Sequence, residues 1–269
     1  MMSYEAFAEV YEALMDNVPY DMWCGRIRKL LTDAGIRDGI VAELGCGTGS
    51  MTRRLAEAGY DMIGIDLSPE MLDAAREAEN EEIPSQSKKE ILYLNQDMRS
   101  FELYGTVRAV ICVCDSINYV TDPGEVQEVL RLVNNYLDPE GLLILDFHTP
   151  YYYREVLGDC SIAETREDLA MIWENEEGED GIHRLFLTVF REEEDGRYTR
   201  FEELHEQRGY TQEEMRALAE AAGLTEVHFH DDYSDSPVNG QSERIVMTAR
   251  EHGKREKIPD MEIKSGKIE

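Results

Sequence analysis

The chain has 269 residues, and 27 Lys plus Arg against 57 Asp plus Glu give it a formal charge of −30. At ~100–200 residues per domain this length holds one large α/β domain with an elaboration or two small ones, and so acidic a surface would repel a phosphate backbone. Five Cys without metal-ligand spacing, a start without a basic segment leading into an apolar one, and apolar runs far shorter than the ~18–20 residues of a membrane span predict a soluble, cytoplasmic protein with no nucleic-acid or membrane partner.

Between residues 3 and 31, Phe7, Val10, Tyr11, Leu14, Trp23, Ile27, Leu30 and Leu31 recur at helical spacing, interrupted near Pro19, which predicts two amphipathic helices joined by a turn. The apolar, β-branched run 40–44 reads as a buried strand that enters the glycine turn Gly45-Cys46-Gly47-Thr48-Gly49. A helix over 51–58, a strand over 62–65, a helix from the capping signal Ser68-Pro69-Glu70 to 78, strands at 91–94 and 109–114, a helix over 125–137 and a strand over 142–147 follow. Strands alternating with helices of this length imply crossover connections and a mainly parallel sheet covered on both faces.

After Pro150 the period changes. Residues 169–175, 183–191 and 198–207 read as three strands with turns at Glu177-Gly178 and Asp195-Gly196, so 151–208 is expected to be an antiparallel insertion. A helix over 211–222 and strands at 227–229 and 244–249 complete the alternating pattern. Residues 251–269 are charged, contain Pro259 and Gly266, and are expected to form a mobile tail.

Chemistry is concentrated where predicted strands end. The glycines after the first strand allow a tight turn and a close approach of ligand to main chain. Asp66 ends the second strand, where a carboxylate can accept both ribose hydroxyls of a nucleoside lying across the strand ends. Asn95-Gln96-Asp97-Met98 follows the third strand, and Cys114-Asp115-Ser116-Ile117-Asn118-Tyr119 ends the fourth.

In this order and spacing the chain resembles the class I S-adenosylmethionine-dependent methyltransferases over residues 1–150 and 209–250. The resemblance implies an α/β fold: a Rossmann-like, seven-stranded, mostly parallel sheet with its last strand antiparallel, helices on both faces, and a small antiparallel β insertion. It also implies S-adenosylmethionine as cofactor. Gly45, Gly47 and Gly49 would border its methionine part, Glu43 would support the loop and the amino group, Asp66 would hold the ribose, and Leu67 and Met71 would flank the adenine. Asp97 would take the adenine amino group with Met98 near the ring, and Cys114 would lie beside the transferred methyl. Residues 1–31 are similar to the lid of small-molecule methyltransferases, whose aromatic side chains close over the sulfonium. Tyr20 and Tyr11 are candidates for that contact because aromatic faces attract a soft cation, with core packing the other reading for Tyr11 and the favoured one for Trp23. The implied activity is methyl transfer to nitrogen or oxygen of a small molecule.

Two other functions remain open at this level. A nicotinamide oxidoreductase would carry G-x-G-x-x-G, but Ser50 stands at the third glycine position and Glu43 would repel a pyrophosphate. A regulator would bind the donor without turnover. No Asn-Pro-Pro-Tyr or Asp-Pro-Pro-Tyr follows the fourth strand, which argues against methylation of nucleobase amines or glutamine amides in the manner of those families.

For the acceptor, His148 at the end of the fifth strand is a candidate proton acceptor, with a satisfied structural histidine the commoner reading, and Glu206, Arg208 and Tyr210 are candidates to orient a polar substrate, with a solvated strand edge the favoured reading. Cys112 and Cys114, two apart on a predicted strand, read as small core residues on one face, since no second pair completes a metal site.

Overall fold

The computed structural model describes residues 10–12, 14–81, 90–178, 181–193 and 195–254. Its strands are β1 (Ile40–Leu44), β2 (Asp61–Asp66), β3 (Leu92–Asn95), β4 (Val107–Cys112) and β5 (Leu137–His148), with β10 (Thr225–Asp231) and β11 (Arg244–Arg250) near the end of the chain. These seven form one sheet in the order β10-β11-β5-β4-β1-β2-β3. β11 runs antiparallel to both neighbours and the other pairs are parallel.

Alternate residues of each central strand feed two cores, as the two-residue period of a strand requires. Ala42, Leu44, Val110, Cys112, Leu143, Leu145 and Phe147 pack on one face with α4 (Pro123–Tyr136) and α5 (Gln212–Ala221). Val41, Ala109, Ile111, Leu142 and Ile144 pack on the other with α1 (Tyr20–Asp33), α2 (Ser50–Glu57) and α3 (Pro69–Glu81). Burial on both faces at about 1.5–3 kcal/mol per large aliphatic side chain makes the central strands the rigid support of the loops at their carboxyl ends.

Local chemistry sets where the helices start. Asp122 caps α4, accepting from the N–H groups of Gly124 at 2.7 Å and Glu125 at 3.1 Å, with Pro123 at the first helical position. Thr211 and Glu214 form a reciprocal capping box on α5. The Ser68 hydroxyl accepts from the Met71 N–H at 3.1 Å, which leaves the nearby Asp66 carboxylate for other work.

The insertion is a separate antiparallel sheet of four strands, β6 (Ser161–Thr165), β7 (Leu169–Glu177), β8 (His183–Glu192) and β9 (Tyr198–Gln207), one more than the sequence predicts. β6 is a short edge strand, mostly exposed, so it carries no apolar alternation to announce it. A π-helical turn, Tyr152–Leu157, leads into the sheet. The inner face buries Leu169, Leu187, Val189 and Phe201 against Val10 of the amino-terminal helical segment and Met71 of α3, so lid, insertion and core meet over the strand ends.

Two expectations are corrected. β4 ends at Cys112, and Cys114 lies beyond it in left-handed backbone, so the two thiols do not share a strand face: Cys112 packs in one core and Cys114 against the other. Residues 251–254, expected in the mobile tail, are packed. Glu251 is buried and its carboxylate accepts from the N–H groups of Glu140 at 3.1 Å and Lys254 at 3.0 Å, while the Lys254 ammonium donates to the carbonyls of Asn134 and Asn135. The remainder of that segment, 255–269, and residues 1–9 of the lid lie outside the described residues.

Candidate active site

The turn after β1 is held from the second strand. The N–H groups of Gly45 and Cys46 both donate to the Ile65 carbonyl, at 2.8 and 3.0 Å, and the Gly47 N–H donates to Asp66 Oδ2 at 2.8 Å. Gly45 has φ +67°, and a Cβ there would come within 2.6 Å of the Ser116 Cβ and 3.2 Å of the Met98 Cε, so only glycine lets the three strand-end loops close together. Gly47 has φ +52°, but a Cβ on it would meet no protein atom within 4 Å. It would project into the open crevice. Gly49, also left-handed, is the residue before α2.

Asp66 closes this arrangement. Its Oδ1 accepts from the Ser68 N–H at 2.9 Å and the Leu67 N–H also acts on the carboxylate, which with about four lone-pair positions keeps room for a ligand. Burial raises the Asp66 pKa against the pull of these N–H groups. Beside it Leu67 is 64% exposed, an apolar side chain next to a hydrogen-bonding carboxylate. Asn95 ties the third strand in, donating to the Leu67 carbonyl at 2.8 Å and the Asp66 carbonyl at 3.1 Å. Met98 packs on the core below. Asp97 is gripped by Arg99 at 2.6–3.0 Å, which holds its carboxyl below the usual range. Met71 lies farther under the insertion, buried with Val10 and Phe201. An open glycine cradle, a carboxylate with spare lone pairs and an exposed leucine fit the polar chain, ribose and base of S-adenosylmethionine.

Glu43 is buried on β1 and accepts a hydrogen bond from the Thr52 hydroxyl. Desolvation pushes its pKa up to about 8, against the Thr52 hydrogen bond. An unfolded glutamate titrates near ~4.3, so its contribution to stability is full below that value and is lost as pH rises through about 8. The ligand-free protein should lose thermal stability across that window by up to about 1.4 kcal/mol per pH unit from this one proton, and Glu43→Gln should flatten the slope. Thermal melts of both proteins from acid to mild alkali check this, and parallel slopes would contradict it.

The amino-terminal segment contributes Glu12, whose carboxylate accepts from the Thr48 hydroxyl and from Ser50 Oγ at 3.0 Å, fastening that segment to the glycine turn. Tyr20 begins α1 with its hydroxyl against the Cys114 thiol and the Arg54 guanidinium 5.2 Å from its ring centre. Tyr11 is close enough to Tyr20, Cys114 and Tyr119 to interact electrostatically with all three. Burial raises both phenols, which stay neutral. Trp23 packs in the core, stacked on Tyr233 with ring centres 4.6 Å apart.

Beside Cys114, three residues given no role in the sequence, Asp146, Tyr233 and Arg244, build a charged knot. Cys114 and Asp115 have φ of 56° and 51°, an unusual pair for non-glycine residues. Their N–H groups donate to the two oxygens of Asp146 at 3.0 and 2.7 Å. Asp146 has no exposed surface and also accepts from Tyr233 and, at 2.9 Å, from Arg244. Arg244 further donates to Asp115 Oδ1 at 2.8 Å and lies 4.9 Å from the Trp23 ring centre. No local motif marks this knot, because its members come from β5, β11, the loop after β4 and the segment between β10 and β11.

His148 belongs to the same knot. Its Nδ1 lies 3.2 Å from the Glu243 carbonyl, which only accepts, and its Nε2 lies 2.8 Å from Arg244 Nη2, which only donates. The proton therefore sits on Nδ1 and the Nε2 lone pair is occupied. Burial lowers its pKa to about 4. The expectation that His148 takes a proton from the acceptor is not met by this geometry, since the nitrogen that would accept is already engaged.

Glu206 stands on the solvated edge of β9, the favoured reading for it, and the substrate-orienting reading of Glu206, Arg208 and Tyr210 is not met. Glu206 is exposed and paired with Arg184, Arg208 pairs with Glu214, and Tyr210 is buried in the core with its hydroxyl donating to the Val120 carbonyl. Glu203, His205 and Gln207 are the polar residues β9 buries, on the same face as Phe201. Gln207 Nε2 donates to Asp115 Oδ2 at 3.2 Å, and Tyr153 donates to Gln207 Oε1 at 3.1 Å. His205 Nδ1 lies 3.2 Å from the Tyr119 hydroxyl. The alternation from Phe201 to Gln207 was the available signal.

Known proteins similar to this chain are methyltransferases. A family described as methyltransferase domain matches residues 41–141, from β1 into β5. YqeM of Bacillus subtilis (strain 168), named as a methyltransferase, is 36% identical over 253 residues, 93% of this chain and 97% of that protein. The glycine/sarcosine N-methyltransferase of Parasynechococcus marenigrum is 32% identical over 120 residues, 44% of this chain and 40% of that protein. The crystal structure of an S-adenosylmethionine-dependent methyltransferase from Clostridium acetobutylicum superposes with a TM-score of 0.82 at 27% identity, covering 93% of this chain and 99% of that one. With the glycine turn, the Asp66 carboxylate and the seven-stranded order in place, the chain belongs to the class I S-adenosylmethionine-dependent methyltransferases.

Proposed function

We propose that this enzyme methylates nitrogen or oxygen of a small molecule in the cytoplasm, with residues 1–150 and 209–250 forming the donor-binding core and 151–208 the roof of the acceptor pocket. The observation that carries this is the buried polar edge of the insertion. Glu203, His205 and Gln207 lie inside the fold, and hydrogen bonds from Gln207 to Asp115 and between His205 and Tyr119 draw the roof onto the strand ends. Such an enclosure suits a small polar acceptor, whereas a nucleic acid would need an open basic groove. The acceptor named for the Parasynechococcus marenigrum relative, glycine or sarcosine, is of this size.

S-adenosylmethionine supplies an activated methyl group. The residues proposed around it are Tyr20, Glu43, Gly45, Gly47, Gly49, Asp66, Leu67, Met71, Asp97, Met98 and Cys114. Asp66 fixes the ribose, the glycine turn admits the amino-acid part, and Tyr11 and Tyr20 exclude water above Cys114. Holding the acceptor atom in line is worth as much as ~7–11 kcal/mol in well-oriented systems, so the engaged His148 does not weaken the reading.

The test is incubation of the full chain and methyl-labelled donor with a metabolite extract, with tRNA and with whole-cell protein in separate reactions. Label is expected in the metabolite fraction. Label confined to tRNA or to protein would reject the reading.

A further inference from the structure

Methyl transfer to nitrogen or oxygen releases the proton that atom carried, and His148, first in line to take it, has its Nε2 engaged by Arg244. A second histidine stands at the same strand ends. His205 lies on the inner face of β9, 6% exposed, with its Nδ1 3.2 Å from the Tyr119 hydroxyl and its ring edge-on to that phenol, ring centres 5.8 Å apart. Tyr119 closes the short 3-10 turn Ser116–Tyr119 and is 47% exposed. The pair joins a half-open phenol to a sealed imidazole.

Main-chain bonds fix the pair in place. Asn118, next to Tyr119, donates from its side chain to the carbonyls of Arg208 at 2.7 Å and His148 at 3.0 Å, and its own carbonyl accepts from the Arg208 N–H at 2.9 Å. The end of β9, just past His205, is thereby pinned to the turn that carries Tyr119. That turn follows the Cys114 loop: Tyr11 is near enough to interact electrostatically with Cys114, Asp115 and Tyr119 together, and Tyr153 with Asp115 and Tyr119. Leu185 of β8 stands opposite His205, and the titratable groups on this side of the insertion are Glu203 on β9, His183 on β8, and Tyr119 and Tyr153 from the strand ends. Burial alone moves the His205 pKa, downward, so the ring is neutral and one of its nitrogens accepts.

Resting on the small-molecule reading above, we propose that Tyr119 is the catalytic residue that takes the acceptor's proton and that His205 is the positioning residue behind it, drawing the phenol's own proton onto Nδ1. The acceptor nitrogen or oxygen forms its bond to the methyl carbon, and the carbon–sulfur bond breaks with its electron pair going to sulfur. The acceptor's N–H or O–H proton passes to the Tyr119 oxygen as the Tyr119 hydroxyl proton passes to His205 Nδ1, so the positive charge lost by sulfur appears on the imidazole. Burial disfavours that charged ring, which therefore holds the proton weakly and returns it through Tyr119 to solvent once product leaves. The relay starts on the core and ends on the insertion, so the roof supplies chemistry as well as enclosure.

The experiment uses the full chain, methyl-labelled donor and the label-accepting fraction of a metabolite extract, dilute enough that initial rates follow kcat/KM. His205→Asn keeps an oxygen near the place of Nδ1 to accept from Tyr119 but takes no proton, and Tyr119→Phe removes the hydroxyl from a half-exposed ring. Each should lower the rate by about a hundredfold or more, as expected for a lost general base, with donor affinity by calorimetry within about twofold of wild type. The double variant should be no slower than the slower single one, because the two groups move one proton. Both enzymes meet the same acceptor, so the ratio of wild-type to His205→Asn rates cancels the acceptor's own titration. That ratio should shrink in acid, where the wild-type His205 is already protonated. A folded variant of either residue within about threefold of the wild-type rate would overturn the relay, and so would a ratio constant from about pH 4 to 8, which is what a purely structural histidine gives. If His205→Asn does not fold, Tyr119→Phe decides by the same rate criterion. Label confined to tRNA or protein would overturn the small-molecule reading and the relay together, whereas labelled metabolites from unimpaired variants would overturn the relay alone.

Discussion

Gly47→Val is expected to abolish donor binding in a chain that still folds. A Cβ at Gly47 meets no protein atom within 4 Å, so the substitution creates no internal clash, yet the branched side chain would stand in the crevice that the glycine turn leaves open. The φ of +52° is a second obstacle, since β-branched residues there are outliers costing of order 1–3 kcal/mol. Relief of that strain would swing the Gly47 N–H away from Asp66 Oδ2 and disturb the carboxylate as well. Affinity for S-adenosylmethionine should fall by more than about a hundredfold, or roughly 2.7 kcal/mol. A ligand at ~100 times its dissociation constant stabilises by about 2.7 kcal/mol, a rise of roughly 5–10 °C in a domain of this size. Wild type should show that shift and the valine variant none, with circular dichroism confirming the fold. A normal shift in the variant would mean that the donor does not pass this turn.

How far the sequence foretells this site depends on how local each part is. The donor half is written in consecutive residues: Gly45 to Gly49 and Asp66 each sit at a strand end, and the hydrogen bonds among them span about twenty positions. A pattern of glycines and one carboxylate is enough to predict the turn and the hydrogen bond between Gly47 and Asp66 that closes it. Asp146 and Arg244 show nothing of the kind. In the sequence each is one charged residue in an apolar strand, and only the antiparallel pairing of β11 with β5 brings them together with the loop after β4. β9 is legible as a strand but not in which of its faces is covered. Its alternation was visible, but which parity faces inward is set by the register with β8 and by what the sheet covers, and a shift of one residue exchanges Glu203, His205 and Gln207 for Glu202, Leu204 and Glu206.

The same knot gives the second large effect. Arg244→Met removes the one guanidinium that reaches Asp115, Asp146 and the His148 Nε2 and covers the Trp23 ring, and it leaves Asp146, fully buried, beside a second carboxylate. Breaking a buried ion pair from one side costs about 3–5 kcal/mol because the surviving charge has lost its partner. At about 2–4 °C per kcal/mol for a domain of this size the midpoint should fall by roughly 10 °C. Arg244→Lys should restore only part of that, since a lysine carries the charge but cannot place donors on two carboxylates and an imidazole while lying flat against an indole. A double variant separates lost attraction from new repulsion. Adding Asp115→Asn to Arg244→Met removes one of the two unpaired carboxylates, so the pair should be more stable than the sum of the single losses, by more than about 0.5 kcal/mol. Unfolding of the four proteins in urea measures this coupling directly. A strictly additive cycle would mean that Arg244 supports the fold through packing on Trp23 and not by holding the carboxylates.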